Sequence, residues 1–163
     1  MASRIVSFVL NGRETEIIAR PMVTLQSVLR EQLGYTATKS GCNQGGCGSC
    51  TVLIDGEPMV SCLLPVADID GREVTTLEGL ASKETLHPLQ QAFFDHYAIQ
   101  CGYCSPGMIM VAKALLDHNP TPTRAEISDA IAGNVCRCTG YQAIVEAIEA
   151  TAQRVNGAGG INQ

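Results

Sequence analysis

Two runs, the largely apolar Ile5 to Leu10 and the mixed Glu14 to Ala19, flank Asn11-Gly12 near the start of the chain. They read as strands, because Asn-Gly is the strongest short hairpin signal. A helical pattern follows. Leu25, Val28, Leu29 and Leu33 recur at helical spacing, with Thr24 as a cap and Gly34 as a stop. Residues 38 to 50 are rich in Gly, Cys and small polar residues and read as a loop. Thr51 to Ile54, Asp55-Gly56 and Met59 to Leu63 read as a second hairpin, and Glu73 to Thr76 as a weaker strand. A small mixed sheet carrying one helix is expected, an α+β layer arrangement.

After Leu77 the pattern turns helical. Pro88 suits the first turn of a helix reaching about Tyr97. Ser105-Pro106 reads as a cap followed by Pro, opening a helix to about His118 that Asn119-Pro120 stops. Thr123 and Glu126 form a capping-box pair, and Gly133 can end that helix. Thr139 and Gln142 form another such pair, opening a last helix whose Ile144, Val145, Ile148, Ala152 and Val155 share one face. Four helices with short connections predict a compact all-α unit. The expected division is 1–77, 78–156 and a frayed tail, 157–163.

With 45% hydrophobic residues, the 163-residue chain can bury a core. Its net charge is −5 and no basic stripe occurs, which argues against nucleic acid as a partner. No apolar run is long enough to cross a bilayer. The start lacks the apolar length and cleavage site of a signal peptide, so a cytoplasmic location is expected. No G-x-G-x-x-G, Ser-His-Asp set or paired carboxylate stands out.

Eight cysteines carry the chemistry. Their density lies below the ~8–10% of small disulfide scaffolds, and disulfides are rare in the cytoplasm. Metal ligation or redox chemistry is the better reading. Cys42-x4-Cys47-x2-Cys50, with Cys62 further on, has the plant-type [2Fe–2S] spacing. Gly41, Gly45, Gly46 and Gly48 let backbone N–H groups approach the sulfurs of such a cluster. The second group is Cys101-x2-Cys104 with Cys136-x-Cys138. Each of these pairs precedes an expected helix start, whose partial positive charge favours thiolates. Spacing alone leaves open a four-cysteine zinc site in the second half. Buried inert thiols and a thioredoxin-like C-x-x-C are weaker alternatives. The second group is expected to be enclosed by apolar helix faces.

Three segments in fixed order carry a family resemblance: Gly41 to Val52, Gln100 to Met108 and Gly133 to Tyr141. With them the chain resembles the small iron–sulfur subunit of molybdenum hydroxylases, the xanthine oxidase family. Ser49, Ser105 and Val135 depart modestly from that family's usual residues, and none is a ligand position. The resemblance implies a plant-ferredoxin-like (β-grasp) N-terminal domain and a four-helix C-terminal domain, each with one [2Fe–2S] cluster. It implies electron transfer from a molybdopterin-type cofactor in a large subunit, through both clusters, to FAD in a medium subunit or another acceptor. It implies a heterohexamer, a dimer of heterotrimers. Gln100 and Cys138 match positions that contact the pterin. A free two-cluster ferredoxin and a zinc-stabilised binding module are the competing readings.

Overall fold

Strand β1 (Arg4–Leu10) turns at Asn11-Gly12 into β2 (Arg13–Ala19), pairing Leu10 with Arg13 and Arg4 with Ala19. The computed structural model describes residues 2–82 and 85–157. Asn11 and Gly12 both have positive φ, as a two-residue I′ turn demands. Strands β3 (Thr51–Ile54) and β4 (Glu57–Val60) form the second hairpin around Asp55-Gly56, and β5 (Glu73–Thr75) completes the sheet. The order is β2-β1-β5-β3-β4, with β1 and β5 parallel and the other pairs antiparallel.

The expected helix over Leu25 to Leu33 is shorter and wider. Helix α1 (Leu25–Ser27) runs into a π-helical stretch, Val28–Gln32. Thr24 caps it as expected, its hydroxyl accepting from Ser27 N–H. A π turn closes on the fifth residue back, so Leu33 N–H bonds Val28 C=O and helical structure ends there. The second hairpin differs at its end. Strand β4 stops at Val60, and Ser61–Leu63 is a 3₁₀ turn, so Cys62 lies on that turn rather than at a strand end.

The second half holds α2 (Pro88–Asp95), α3 (Ser105–His118), α4 (Arg124–Ala130) and α5 (Gln142–Gly157). Thr123 and Glu126 form the expected reciprocal cap on α4. His87 does the same for α2, with Gln90 as its partner. Two expected caps differ. Ser105 is the first helical residue, and Cys104 occupies the cap position with no side-chain cap bond. Thr139 accepts instead from Tyr141 N–H, while the Gln142 side chain turns to Glu146. Of the tail expected at 157–163, residues 158–163 lie outside the described residues.

Two apolar cores result. One collects Val6, Phe8, Leu10, Leu25, Leu29, Val52, Ile54 and Val74 under the sheet. The other collects Leu89, Phe93, Met108, Ile127, Ile131, Ile144 and Ile148 between the helices. A third, small cluster of Leu53, Met110 and Ala114, flanked by Leu77 and Leu80, joins β3 to α3. That junction brings the loop before β3 against the N-terminus of α3.

Candidate iron–sulfur sites

The eight thiols gather in two places. Cys42, Cys47 and Cys50 lie on the loop before β3, and Cys62 on the 3₁₀ turn that follows β4. Cys42 lies within bonding reach of Cys47, and Cys50 within reach of Cys62. In the second half, Cys101 and Cys138 approach to 3.5 Å between sulfurs, and Cys104 bonds Cys136. All eight are free thiols. The sulfurs thus come as close pairs. Among the described residues, no three His, Cys, Asp or Glu side chains converge on one point as a single-ion site requires.

Backbone donors serve the thiols. The Cys42 sulfur accepts from the N–H of Gln44, with Cys47 and Gly46 contributing, and its pKa falls to about 7. Tyr103 N–H bonds the Cys101 sulfur and lowers that thiol as well. At Cys136, burial opposes ionisation, but the Thr139 hydroxyl, 3.1 Å from the sulfur, and neighbouring N–H groups outweigh it and lower the thiol. Burial dominates elsewhere, pushing Cys50 up to about 11 and Cys104 up to about 12. Such desolvated thiols ionise readily only against a bound cation. Gly41 gives the first loop its close fit, since a Cβ there would lie 2.8 Å from the Cys47 sulfur. The donor set, paired soft sulfurs with N–H donors aimed at them, fits a [2Fe–2S] group.

Exposure differs from the enclosure expected for the second group. Cys104 is buried, but Cys101 and Cys138 are exposed. The reason is their placement. Cys101 lies ahead of α3 and Cys138 ahead of the Thr139–Tyr141 turn, both outside the helical core. Gln100, next to Cys101, is also exposed, and its side chain bonds no other described residue. Tyr103 and Val135, 46% and 55% exposed, lie in the same two segments and give them an apolar character. Sequence reasoning missed Asn134, which is 3% exposed and bonds Gly48 C=O across the two halves. Only its place, two residues before Cys136, offered a signal.

The chain matches the family described as "2Fe-2S iron-sulfur cluster binding domain" over residues 2–94 and the "[2Fe-2S] binding domain" family over 76–149. It is 46% identical to the nicotinate dehydrogenase small FeS subunit of Eubacterium barkeri over 89% of this chain and 92% of that one. It superposes on a chain of quinoline 2-oxidoreductase from Pseudomonas putida 86 with a TM-score of 0.92, at 41% identity, covering 99% and 100% of the two chains. It also superposes on aldehyde oxidoreductase from Desulfovibrio gigas (TM-score 0.91, 42% identity), covering 96% of this chain but 18% of that one. The class is therefore a [2Fe–2S] electron-transfer protein. More narrowly, the chain belongs to the small iron–sulfur subunits of the molybdenum hydroxylase family, part of an oxidoreductase complex with a larger partner. Among the described residues, no helix is long and apolar enough to cross a membrane.

Proposed function

We propose that Cys42, Cys47, Cys50 and Cys62 hold one [2Fe–2S] cluster, and Cys101, Cys104, Cys136 and Cys138 a second. The pairing of the sulfurs carries this reading. A dinuclear cluster takes two thiolates on each iron, so its ligands come as two close pairs. Zinc draws all four ligands to one point. The pairs 42/47, 50/62, 101/138 and 104/136 have the dinuclear form. Bound there, each cluster supplies reversible one-electron storage. The backbone N–H donors stabilise the added negative charge of the reduced state.

Residues 1–77 then form a ferredoxin-like β-grasp domain and 78–156 a four-helix domain. Electrons arrive at the second quartet and leave from the first. The exposed Cys101, Cys138 and Gln100 form the side that meets a large subunit holding a molybdopterin-type cofactor. Gln100 offers two donors and an acceptor to a pterin edge, and the Cys138 sulfur is a weak acceptor. A polar cavity of about 330 Å³, lined by Thr24, Arg30, Ser40, Asn43 and Cys62, opens beside the first quartet. That is where FAD of a medium subunit, or another acceptor, approaches. The complex is a cytoplasmic heterohexamer, a dimer of heterotrimers.

Electron paramagnetic resonance on the reduced complex tests the ligand partition. Two distinct signals of about one spin each are expected, because hydrogen bonding and exposure set each cluster's electronic character. Cys50→Ser perturbs the first signal alone, and Cys104→Ser the second alone. Loss of both signals from either substitution in a folded chain would overturn the partition. A colourless native protein containing zinc would overturn the iron–sulfur reading. Elution of the native chain alone would leave a free ferredoxin.

A further inference from the structure

The two cysteine-bearing segments are bonded to each other. Val135 N–H donates to Cys47 C=O at 2.9 Å. Asn134 Nδ2 donates to Gly48 C=O at 3.0 Å in a buried contact. Asn134 is itself held on both sides. Its N–H bonds Ile131 C=O at 2.9 Å, and its C=O accepts from the Tyr141 hydroxyl at 3.1 Å. The same hydroxyl accepts from Cys136 N–H at 2.9 Å. Glycines close the joint from both faces. A Cβ on Gly48 would lie 2.6 Å from Asn134 Cγ, and a Cβ on Gly107, in the first turn of α3, would collide with the Gly48 carbonyl oxygen. The backbone at Gly48 therefore sits in a slot that admits no side chain and allows little displacement.

We propose that Asn134 is a positioning residue for electron transfer between the two quartets. It holds the Cys47-Gly48 backbone so that Cys47 C=O stays on Val135 N–H. This rests on the reading that each quartet holds a [2Fe–2S] cluster. The route runs from the Cys136 sulfur through the Val135 main chain, across one hydrogen bond, and through the Cys47 backbone to its sulfur. Each passage moves one electron. With [2Fe–2S] groups held by the two quartets, the Cys101/Cys104/Cys136/Cys138 site would give up that electron and the Cys42/Cys47/Cys50/Cys62 site would take it, with no bond broken and no proton moved. Electronic coupling falls far more steeply across an open gap than along bonds, so the hydrogen bond is the sensitive link. A second crossing exists, from the Tyr103 hydroxyl to Ser40 C=O at 2.7 Å. It is exposed, and to reach the Cys42 sulfur it must traverse the tyrosine side chain, Ser40 and Gly41, a longer path.

The test uses the assembled complex and Asn134→Leu, which nearly keeps the side-chain shape but has no donor. Three quantities are read: iron per chain, the rate at which the first-quartet cluster is reduced after the second, and the dipolar splitting between the two reduced clusters. Expected are wild-type iron, wild-type reduction of the second cluster, a changed splitting, and a severalfold slower reduction of the first cluster. A merely structural role would lower thermal stability and leave rate and splitting unchanged. Gly107→Ala wedges the joint from the other face and should act alike, carrying the test where Asn134→Leu loses iron. Tyr103→Phe, which removes only the exposed crossing, should slow that step far less than either joint variant. Wild-type rate and splitting in an iron-replete variant would overturn the proposal. So would an equal slowing in Tyr103→Phe, or iron loss in both joint variants, because the joint would then hold the clusters rather than connect them. A wild-type complex without iron would instead overturn the underlying reading.

Discussion

Gly48→Ala should be among the most destabilising single-methyl additions available in this chain, for three separable reasons. Gly48 has φ +68, and left-handed backbone costs an L-residue about 1–2 kcal/mol. The added Cβ would lie 2.6 Å from Asn134 Cγ and 2.7 Å from Gly133 O. Overpacking of that kind costs about 1–3 kcal/mol. Relief of the overlap moves Asn134 off the Gly48 carbonyl. The carbonyl keeps its 2.7 Å bond from the Thr51 hydroxyl, so the loss is one buried donor, about 1 kcal/mol. Adjacent terms do not add fully, so about 3–5 kcal/mol is expected, or roughly 6–20 °C in Tm for a chain of this size.

Two other glycines separate the terms. Gly12 has φ +73 but nothing within 4 Å of an added Cβ, so Gly12→Ala should cost only the backbone term, about 1–2 kcal/mol. Gly71 likewise has φ +76 and nothing within 4 Å of an added Cβ, so Gly71→Ala should match Gly12→Ala at about 1–2 kcal/mol. The assay is thermal unfolding by far-UV circular dichroism at one scan rate, with iron content measured in parallel. A Gly48→Ala loss no larger than that of Gly12→Ala would refute the packing argument.

The His87 cap should weaken in acid. Burial first, and Lys113 second, hold its pKa below the ordinary value, with Asp117 opposing them. A histidine whose folded pKa is depressed stabilises above the unfolded pKa of about 6.5 and loses that contribution as pH falls through the folded value. Protonation also removes the Nδ1 acceptor of Leu89 N–H. His87→Asn should flatten that part of the stability–pH curve, and an unchanged slope in urea titrations at pH 5 and 8 would count against it. Met110→Ala, fully buried where α3 meets β3, should cost about 2–5 kcal/mol in denaturant midpoints. A cost under about 1 kcal/mol would mean that this junction does not pack as described. Leu→Ala at exposed Leu63, 56% accessible, should by contrast stay near zero unless the partner subunit is bound.

Both hairpins were legible in the chain because Asn11-Gly12 and Asp55-Gly56 allow a turn that few other dipeptides do. The Thr123/Glu126 box was legible because it needs only four adjacent residues. What escaped the sequence depended on tertiary packing. The π turn over Val28–Gln32 has the same periodic leucines as an α-helix, and composition does not distinguish the two. Ser105 looked like a cap because Ser-Pro often is one, but the helix begins a residue earlier, leaving Cys104 at the cap. The cap role of His87 is not legible either, since a histidine acceptor at a helix cap is rare and Leu86-His87-Pro88 gives no sign of burial. The cysteine groups were legible from spacing. Which sulfurs pair, and which lie exposed, required the fold, because Cys62 and the 136/138 segment return from distant parts of the chain.

The cores and the cysteine sites divide the molecule differently. Each large core closes within its own half: Val6 to Val74 under the sheet, Leu89 to Ala152 among the helices. The cysteine loops do not. The 38–50 loop receives bonds from Tyr103, Asn134 and Val135, all in the other half. It contains little that could fold it alone, since its residues are small, polar and partly left-handed. A loop that must place sulfurs within tenths of an ångström cannot rely on glycine-rich backbone for rigidity. It takes that rigidity from the opposite half, whose own cysteine segments gain the same support in return. Connection and support are then one structural feature, and loosening one set of thiols should loosen the path to the other.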